Sequence, residues 1–523
     1  MKKIVLSLIL SIIPFKLSAA TYYMATNGSD ATGDGSSGNP VQYTTKAVSL
    51  MIGGDVLIFK DGTYDYTNIS TWVNGTAAAP TIFKAENDGG AIIDGNGVRA
   101  GITIGTQQST AGYVQVEGFY VRNTSNNSTI NTQSADATLA DEWTHNITFK
   151  RVGAIGNRSN NSHVFVFART RLCLAEDVWA AGEGRYTFQV YSSSNMTVRR
   201  LVARWDGMRA MGSGGETLTN PKFNFAVYNV RASTFENIMA IDSSGTLLSG
   251  DHGGVDVIAN DNPSTSKYNE DDQNMFLGML VLKSSGGAGM AMDPSAASTN
   301  DGNQIIDSVF WANAGTGFVL NRNSSKTFLF HCTMASTTLN GANSGRGASL
   351  GSTNLWFSSM SSCLISSNSG HGVNGGWSSN YMNVFGNLGS AYANGASAGP
   401  QSIASATYRL YITSGVAGNA NDGKASDGSY IGADVTRRYV DGIKTADSLW
   451  PWPNESRIKT ELCYDAEVNT KGFCADTTSQ PITNYVWNML GNGNPYADPT
   501  ASPASAEISG TVELQGNITI IIQ

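Results

Sequence analysis

The sequence predicts an all-β solenoid, in which short strands stack in parallel coil upon coil. Four mostly apolar side chains recur at i, i+2, i+5 and i+7, and the pattern starts at nine positions: Val114, Ile147, Cys173, Met196, Ser233, Met275, Gln304, Phe328 and Leu355. A step of two is strand alternation, and the step of three inserts one bend residue between two strands. One such corner every 23 to 42 residues is typical of coils that bury their inner faces on each other.

Composition agrees with this fold class. Charged residues make up 14% of the chain, below the usual level of about 25%. The 58 glycines and abundant Ser, Asn and Thr suit tight corners, and 41% hydrophobic residues with a clear period argue against disorder. The 523 residues are normal for one solenoid with caps.

The first twenty residues predict an export signal. Lys2 and Lys3 precede an apolar run from Ile4 to Ile13, which is too short to span a bilayer, and small residues end at Ala20. No other segment of the sequence is apolar enough for a membrane span. We therefore expect a secreted, periplasmic or cell-surface protein.

Five cysteines suit such a compartment. Cys463 and Cys474 lie close together in a polar segment and are expected to form one disulfide. Cys173, Cys332 and Cys363 are better explained as small core or turn residues than as metal ligands or catalytic groups.

The chain divides into six parts. We expect a signal peptide (1–20), an N-terminal cap with the first coils (21–105), the parallel β-helix (106–390), loops rich in Gly, Ala, Ser and Asn (391–430), a partly helical C-terminal capping segment (431–500) and a tail (501–523). A cap is required because the end of a parallel stack exposes unpaired backbone. The tail alternates well enough for a hairpin around residues 515–517.

Several stretches resemble known proteins. Residues 22–30 (YYMATNGSD), 54–64 (GDVLIFKDGTY), 92–95 (IIDG), 438–442 (RYVDG) and 449–453 (LWPWP) are similar to segments of secreted proteins of the pectate-lyase-like superfamily. The resemblance implies a right-handed parallel β-helix with an N-terminal cap and a small helical C-terminal cap. It leaves activity open, because this architecture carries lyases, hydrolases, epimerases and inactive binders.

Charge reverses between two adjoining blocks of coils. Residues 150–231 hold 12 Lys and Arg against 5 Asp and Glu, whereas residues 232–307 hold 11 Asp and Glu against 2 Lys. A basic block in a protein of pI about 5.2 predicts an anionic partner other than nucleic acid. The acidic block suggests a hard cation such as calcium.

The basic block supplies candidate catalytic and substrate-binding residues. Elimination beside a uronic carboxylate needs a cation that neutralises the carboxylate and a base that removes the C5 proton. Arg204, Arg209, Lys222 and Lys283 are the candidates for these two tasks; Arg122, Trp205 and Asp206 are candidate substrate contacts. Equal i+8 positions predict that Arg122, Arg204 and Lys283 share one outward column, with Arg204 and Lys283 roughly 10 Å apart. The alternative is that these cations pair with carboxylates on the next coil.

The two longest steps of the repeat predict long loops, which commonly carry function. The second loop supplies candidate calcium ligands at Asp251, Asp256, Asp271 and Asp272, and His252 as a candidate acid or base. Residues 251–256 faintly resemble the calcium-binding turn of one pectate lyase family, with one inserted residue and a His in place of an Asp. A structural calcium site, a solvated loop and a surface His remain the alternatives.

Three functions follow for comparison. The first is a calcium-supported lyase of an acidic polysaccharide, acting as a monomer. The others are a non-catalytic glycan-binding surface protein and a glycoside hydrolase that uses Asp256 with Asp293 or Asp301, for which carboxyl separations of roughly 5 to 9.5 Å are needed. The sequence has no HExxH, P-loop or CxxC motif, and its two GxSxG matches lack a strand–helix context.

Overall fold

The computed structural model describes residues 19–107, 109–125, 128–134, 143–156, 163–182, 185–204, 223–243, 253–258, 272–284, 287–293, 300–320, 324–337, 345–350, 358–404, 421, 423–464, 472–475, 480–490, 510–514 and 518–522. Within them the chain forms a right-handed parallel β-helix, which confirms the predicted fold class and, for the fold, the resemblance to pectate-lyase-like proteins. The predicted signal peptide falls almost wholly outside the described residues and stays a prediction.

The described strands form one long and one short parallel sheet. The long sheet has two arms that meet at the predicted corner, and its 24 strands are Thr21–Met24, Val56–Phe59, Gly62–Tyr64, Thr81–Ala85, Ala91–Asp94, Gly112–Glu117, Tyr120–Arg122, Thr144–Lys150, Gly153–Ile155, Thr170–Arg171, Leu174–Ala181, Thr197–Arg204, Thr234–Glu236, Met239–Ile241, Met275–Leu277, Leu280–Leu282, Gln304–Ile306, Val309–Trp311, Phe328–Phe330, Thr333–Ala335, Ser359–Ser361, Leu364–Ser366, Ser378–Asn380 and Asn383–Phe385.

The short sheet contributes the third strand of most coils. Its 11 strands are Ile102–Ile104, Ile130–Gln133, His163–Ala168, Tyr186–Tyr191, Phe223–Tyr228, Gly253–Ile258, Met290–Met292, Phe318–Leu320, Ala348–Leu350, Val373–Asn374 and Tyr392–Ala393. The remaining described elements are the helices Thr44–Leu50, Glu455–Leu462 and Ile482–Met489, the 3-10 turn Gly472–Cys474, and the strand pairs Asn300–Asp301 with Ser324–Ser325, Arg437–Val440 with Ile443–Ser448, and Gly510–Leu514 with Ile518–Ile522.

The corner between the two arms depends on one left-handed residue per coil. Ten residues at the same level all have φ between 50° and 77°: Gly118, Arg151, Asp177, Arg200, Asn237, Gly278, Asp307, His331, Ser362 and Tyr381. A single residue in this conformation turns the chain without ending the hydrogen-bonded ladder. The step of three in the sequence pattern is therefore a real corner.

The interior is a continuous apolar column. Aromatic side chains such as Phe149, Phe165, Phe188, Phe225 and Phe235 are fully buried, and neighbouring rings lie about one strand spacing apart. Cys173, Cys332 and Cys363 are buried members of this core with free thiols, as expected for small core residues.

The predicted register is wrong in the last four coils. The inward Phe235 pairs in succession with Phe276, Ile305, Leu329 and Met360 on the following coils. The inward positions of coils six to eight therefore begin one residue earlier than predicted. Those of the ninth coil begin three residues later than predicted. A shift by one residue moves every side chain to the other face of the sheet. In coils six to eight the error arose because outward residues such as Leu277, Leu280 and Phe330 are as apolar as the inward ones. In the ninth coil the inward strand Ser359–Ser361 has a single apolar residue, so the apolar residues just before it were chosen instead.

The second apolar face is covered by the C-terminal segment. Leu280, Leu282, Val309 and Trp311 point outward and form a separate buried cluster with residues of this segment, among them Ile431, Val435, Trp450, Trp452, Ile458, Leu462, Phe473, Ile482, Val486 and Trp487. The segment thus lies along one flank of the β-helix, where the sequence suggested an end cap. The Cys463–Cys474 disulfide closes a short loop within it.

A ladder of alternating charges crosses the first arm of the long sheet. Six residues paired strand to strand alternate strictly in sign: Lys84, Glu117, Lys150, Glu176, Arg199 and Glu236. Opposite charges one strand apart attract, whereas a pairing that skipped one coil would place like charges together. The ladder therefore favours the observed stacking order.

Glu461 fastens the flank segment to the coils. Its carboxylate accepts hydrogen bonds from Trp179 Nε1 at 2.8 Å and Arg457 Nε at 2.8 Å, and Arg457 stacks on the Trp179 ring at 4.7 Å. Gly153 leaves room for this contact, since a Cβ there would lie 2.1 Å from the Glu461 Oε2 atom. Burial raises the pKa of Glu461 to about 7.

This raised pKa predicts a specific dependence of stability on pH. Between the ordinary value of 4.5 and about 7 the folded chain holds a proton that the unfolded chain has lost. The free energy of unfolding should therefore fall as pH rises through this window. The variant Glu461→Gln keeps a hydrogen-bond acceptor for Trp179 and should flatten that decline, as measured by denaturant unfolding at a series of pH values. An unchanged decline in the variant would contradict the assignment.

Among the described residues, the helices are too short or too polar to pass through a bilayer.

Candidate functional site

The predicted outward column of cations lies beneath or beside the flank segment. Arg204 is 1% exposed and its Nε lies 3.3 Å from Asp242 Oδ2 on the next coil. Asp242 also accepts hydrogen bonds from Tyr485 OH at 2.6 Å and from the Phe473 backbone N–H at 2.6 Å. Arg204 therefore joins two coils to the flank segment, which is the alternative that the sequence left open.

Arg122 and Lys283 have similar surroundings. Arg122 pairs with Asp94 at 2.9 Å and stacks on Tyr464 at 4.1 Å. Lys283 Nζ lies 3.4 Å from Tyr485 OH. Arg122 and Arg204 do share a column, but Leu282, not Lys283, stands two coils beyond Arg204, so the predicted alignment of Lys283 is wrong by one residue.

Arg204 should contribute to stability more than to catalysis. Replacing it with alanine leaves the buried Asp242 carboxylate without its cation, which should lower the free energy of unfolding by about 3 kcal/mol. The matched variant Lys283→Ala, at an exposed position, should cost less than ~1 kcal/mol. Chemical denaturation of both variants measures this difference. If the two variants were equally stable and only Arg204→Ala lost turnover, Arg204 would have to be regarded as a catalytic-site residue after all.

Many of the other predicted site residues lie outside the described residues: Trp205, Asp206, Arg209, Lys222, Asp251, His252 and Asp271. Of the candidate calcium ligands, Asp256 lies on a strand of the short sheet. The backbone of Asp272 pairs with that of Arg231 on the preceding coil, just before the next strand of the long sheet. The described residues contain no group of three or more His, Cys, Asp or Glu side chains placed to hold a metal ion. The calcium site stays a prediction.

The outward face of the short sheet brings a different set of side chains together. Its strands bury Phe165 and Phe167, Phe188 and Val190, and their equivalents, so the residues between them, such as Gln189 and Asp256, point away from the core. The alternation breaks where these strands begin: Val164 and Phe165 both belong to the core, which leaves the preceding His163 on the outward side. His163 pairs in register with Tyr186, and Tyr186 with Phe223. Tyr186, Phe223 and Ala226 form a cluster of their own, separate from the inner core. This face, between His163 and Asp256, is the candidate site.

At its centre, His163 and Arg185 both contact the Tyr186 ring. The imidazole of His163 stacks on the phenol with centroids 5.6 Å apart and planes 12° apart, and the Arg185 guanidinium lies 5.3 Å from the same ring. Tyr186 is 1% exposed, whereas His163 and Arg185 are half-buried. The buried ring of Tyr186 is thus a rigid platform that contacts both an imidazole and a cation.

Burial sets the protonation states of this group. Desolvation, assisted by the charge of Arg185, lowers the pKa of His163 to about 4, so its imidazole is neutral near pH 7. Burial, and next the charge of Asp256, raise the pKa of Tyr186, which therefore keeps its proton. The site offers a neutral base beside a permanent cation.

Asp256 extends the site by two coils. It is 5% exposed and lies in the column Gln189, Ala226, Asp256, Ala291. Lys222 and His252, two of the predicted site residues, directly precede Phe223 and Gly253 in the sequence, and Phe223 pairs with Gly253 in this sheet. The long insertions of the sequence pattern therefore lead into this sheet.

Sequence reasoning missed His163, Arg185 and Tyr186 because it followed only two strands per coil. The third strand follows an insertion of varying length, so His163 stands 16 residues after Ile147 but Tyr186 stands 13 after Cys173. The available signal was the continuous apolar run at residues 164–167 and the apolar alternation of residues 187–191, each directly preceded by His163 or Tyr186.

One family model matches the chain. Residues 39–160 match the model described as Chondroitinase B, a stretch that covers less than half of the chain and ends before His163. No curated protein matches by sequence.

Several solved structures match the chain at low identity and with TM-scores below 0.5. A rhamnogalacturonan lyase is 16% identical with a TM-score of 0.40 and covers 62% of this chain and 75% of its own. Pectate lyase Pel9A is 16% identical with a TM-score of 0.41, covering 82% and 92%. The A-module of the Azotobacter vinelandii mannuronan C-5 epimerase AlgE6 is 11% identical with a TM-score of 0.36, covering 68% and 90%.

Proposed function

We propose that the protein is an exported lyase that cleaves an acidic, uronic-acid polysaccharide by β-elimination. The observation that carries the proposal is the pair formed by His163 and Arg185 on the Tyr186 ring. The basic character of residues 150–231 and the match of residues 39–160 to the Chondroitinase B model support an acidic polysaccharide as the substrate. Export rests on the predicted signal peptide.

The two groups have complementary tasks in an elimination. Arg185 neutralises the uronic carboxylate, which makes the C5 proton more acidic, and the neutral imidazole of His163 accepts that proton. The electron pair of the C5–H bond forms the C4–C5 double bond, the C4–O bond breaks, and the leaving oxygen takes up a proton from water. His163 then releases the C5 proton to the resulting hydroxide, which restores the neutral imidazole. Tyr186 holds both groups in place and acts as a positioning residue.

The direct test is ultraviolet absorbance. Elimination creates a double bond conjugated with the carboxylate, whereas hydrolysis and simple binding do not. The purified protein should be tested against pectate, alginate and glycosaminoglycans, with reducing ends measured in parallel. Rising absorbance on one polymer supports the proposal; new reducing ends without absorbance indicate a hydrolase; retention of the polymer with neither signal indicates a binder.

A glycoside hydrolase is the second candidate because two carboxylates share the outward face. Asp256 pairs with Ala291, so Asp293 lies one strand over and two residues along. From strand spacing and rise, their backbones are separated by roughly 8 Å, close enough for the two carboxyl groups to act on one glycosidic bond. Inactivation by Asp256→Asn with release of reducing ends would favour this function.

Calcium support remains part of the proposal. Asp256 and Asp272 are carboxylates in the acidic block, and carboxylate oxygens suit calcium. Bound calcium would neutralise substrate carboxylates beside Arg185. A chelator should then abolish absorbance change, and added calcium should restore it; full activity in chelator would remove calcium from the proposal.

A further inference from the structure

We propose that Tyr191 and Tyr228, with the arginines at the adjoining corner, form a glycan-binding strip that runs parallel to the β-helix axis. This inference rests on the proposed function for the class of ligand, an anionic polysaccharide. It assigns binding, apart from bond cleavage, to residues at the carboxyl ends of the short-sheet strands.

The strip is the accessible part of the described site face. Tyr186, Gln189, Phe223 and Asp256 are buried. The next outward column is half-exposed along several successive coils: Ala168, Tyr191, Tyr228 and Ile258. A long ligand that reaches this face would therefore meet this column first.

Two tyrosines make the strip suitable for sugars. The rings of Tyr191 and Tyr228 are 5.2 Å apart at 71°, on neighbouring coils. Aromatic rings offer a large apolar surface at low cost in side-chain entropy, and their hydroxyls still bond to polar groups. Coils repeat at about 4.8 Å, close to the length of one pyranose unit in an extended chain. Successive sugars can thus meet successive coils.

Arginines follow the strip on one side. Arg169 lies 5.7 Å from the Tyr191 ring centre. Just beyond these strands, the backbones of Arg171, Ser194, Arg231 and Asp272 are paired in register on four successive coils, and both arginines are half-exposed. The column is thus basic beside Tyr191 and Tyr228 and turns acidic one coil further on. In an extended glycan with two-fold screw symmetry, the acidic groups on one side recur at every second sugar. Arg171 and Arg231 are likewise two coils apart, with Ser194 on the coil between them. Positive charge beside an aromatic strip complements a polyanionic glycan.

The test is affinity electrophoresis of the full chain, with His163→Ala as the background to prevent cleavage. Gels contain pectate, alginate, dermatan sulfate or neutral dextran. We expect retardation by at least one anionic polymer and none by dextran. Tyr191→Ala and Tyr228→Ala should each weaken binding about tenfold. Tyr191→Phe, which keeps the ring, should bind as well as the parent protein. The double variant Arg171→Ala, Arg231→Ala should show a weaker dependence of binding on salt concentration. Tyr43→Ala, at an exposed tyrosine of the N-terminal cap, is the matched control.

The outcomes separate this inference from the proposed function. If binding depends on the two tyrosines but the unmutated protein shows no elimination activity, the result supports the strip and contradicts the proposed lyase function. Retardation unchanged in both tyrosine variants, or absent with every anionic polymer, overturns the strip even if the lyase assay succeeds.

Discussion

Replacing His163 with alanine is expected to reduce the elimination rate by about 10²- to 10⁴-fold, the usual contribution of a general base. The imidazole is the one neutral base that the described site face holds beside a cation, on the ring of Tyr186. KM should change less than kcat, because Arg185 still binds the substrate carboxylate. Initial rates of ultraviolet absorbance on the identified polymer measure both constants.

The matched control is His145→Ala. His145 is also half-buried, but it lies on the long sheet, where it contacts Tyr113 and Asn146. It should leave kcat unchanged. The pH profile adds an independent check: because the pKa of His163 is lowered to about 4, activity should persist in weak acid and fall only as pH drops through about 4. Equal rates in the two variants would remove His163 from the mechanism.

Replacing Lys444 with alanine is expected to destabilise the fold by about 3 to 5 kcal/mol. Its ammonium lies 2.8 Å from Asp307 Oδ2 and 3.1 Å from Asp434 Oδ2, and Tyr439 OH donates to Asp307 at 2.6 Å. Without the lysine, two buried carboxylates face each other with no cation between them. Denaturant unfolding gives the change in free energy.

The charges of this cluster make the size of the effect plausible. Burial alone would lower the pKa of Lys444, but Asp307 and Asp434 raise it overall. Burial alone would raise the pKa of Asp434, but the charge of Lys444 and the hydrogen bonds from Thr436 and Lys444 together lower it. Lys424→Ala is the control, since Lys424 is an exposed lysine of the loops that precede this segment and should change stability by less than ~0.5 kcal/mol. A similar loss in both variants would mean that the cluster does not hold the segment.

The coil architecture was predictable because the inner face and its corner repeat in sequence. Val114, Ile147, Cys173, Met196 and Ser233 all start coils at the predicted register, and each is followed four residues later by a left-handed corner residue. The prediction failed where outward residues such as Leu280 and Leu282 are as apolar as inward ones. Alternation identifies a buried face only when the opposite face meets water.

The site was harder to predict for a related reason. Arg204 stood out as an outward cation beside a long insertion, but the flank segment that buries it lies more than two hundred residues further along the chain. Burial by a distant segment leaves no mark in local spacing. His163 and Tyr186 meet through pairing of third strands, and the variable insertions before those strands hide their common register.

The central claim is that bond cleavage occurs on the outward face of the short sheet and not on the flank near Arg204 and Lys283. The most direct measurement compares the rate of double-bond formation by His163→Ala and by Lys283→Ala on the same acidic polymer. We expect the rate to be lost in the first variant and unchanged in the second. Loss of the rate in Lys283→Ala, with His163→Ala fully active, would contradict the claim.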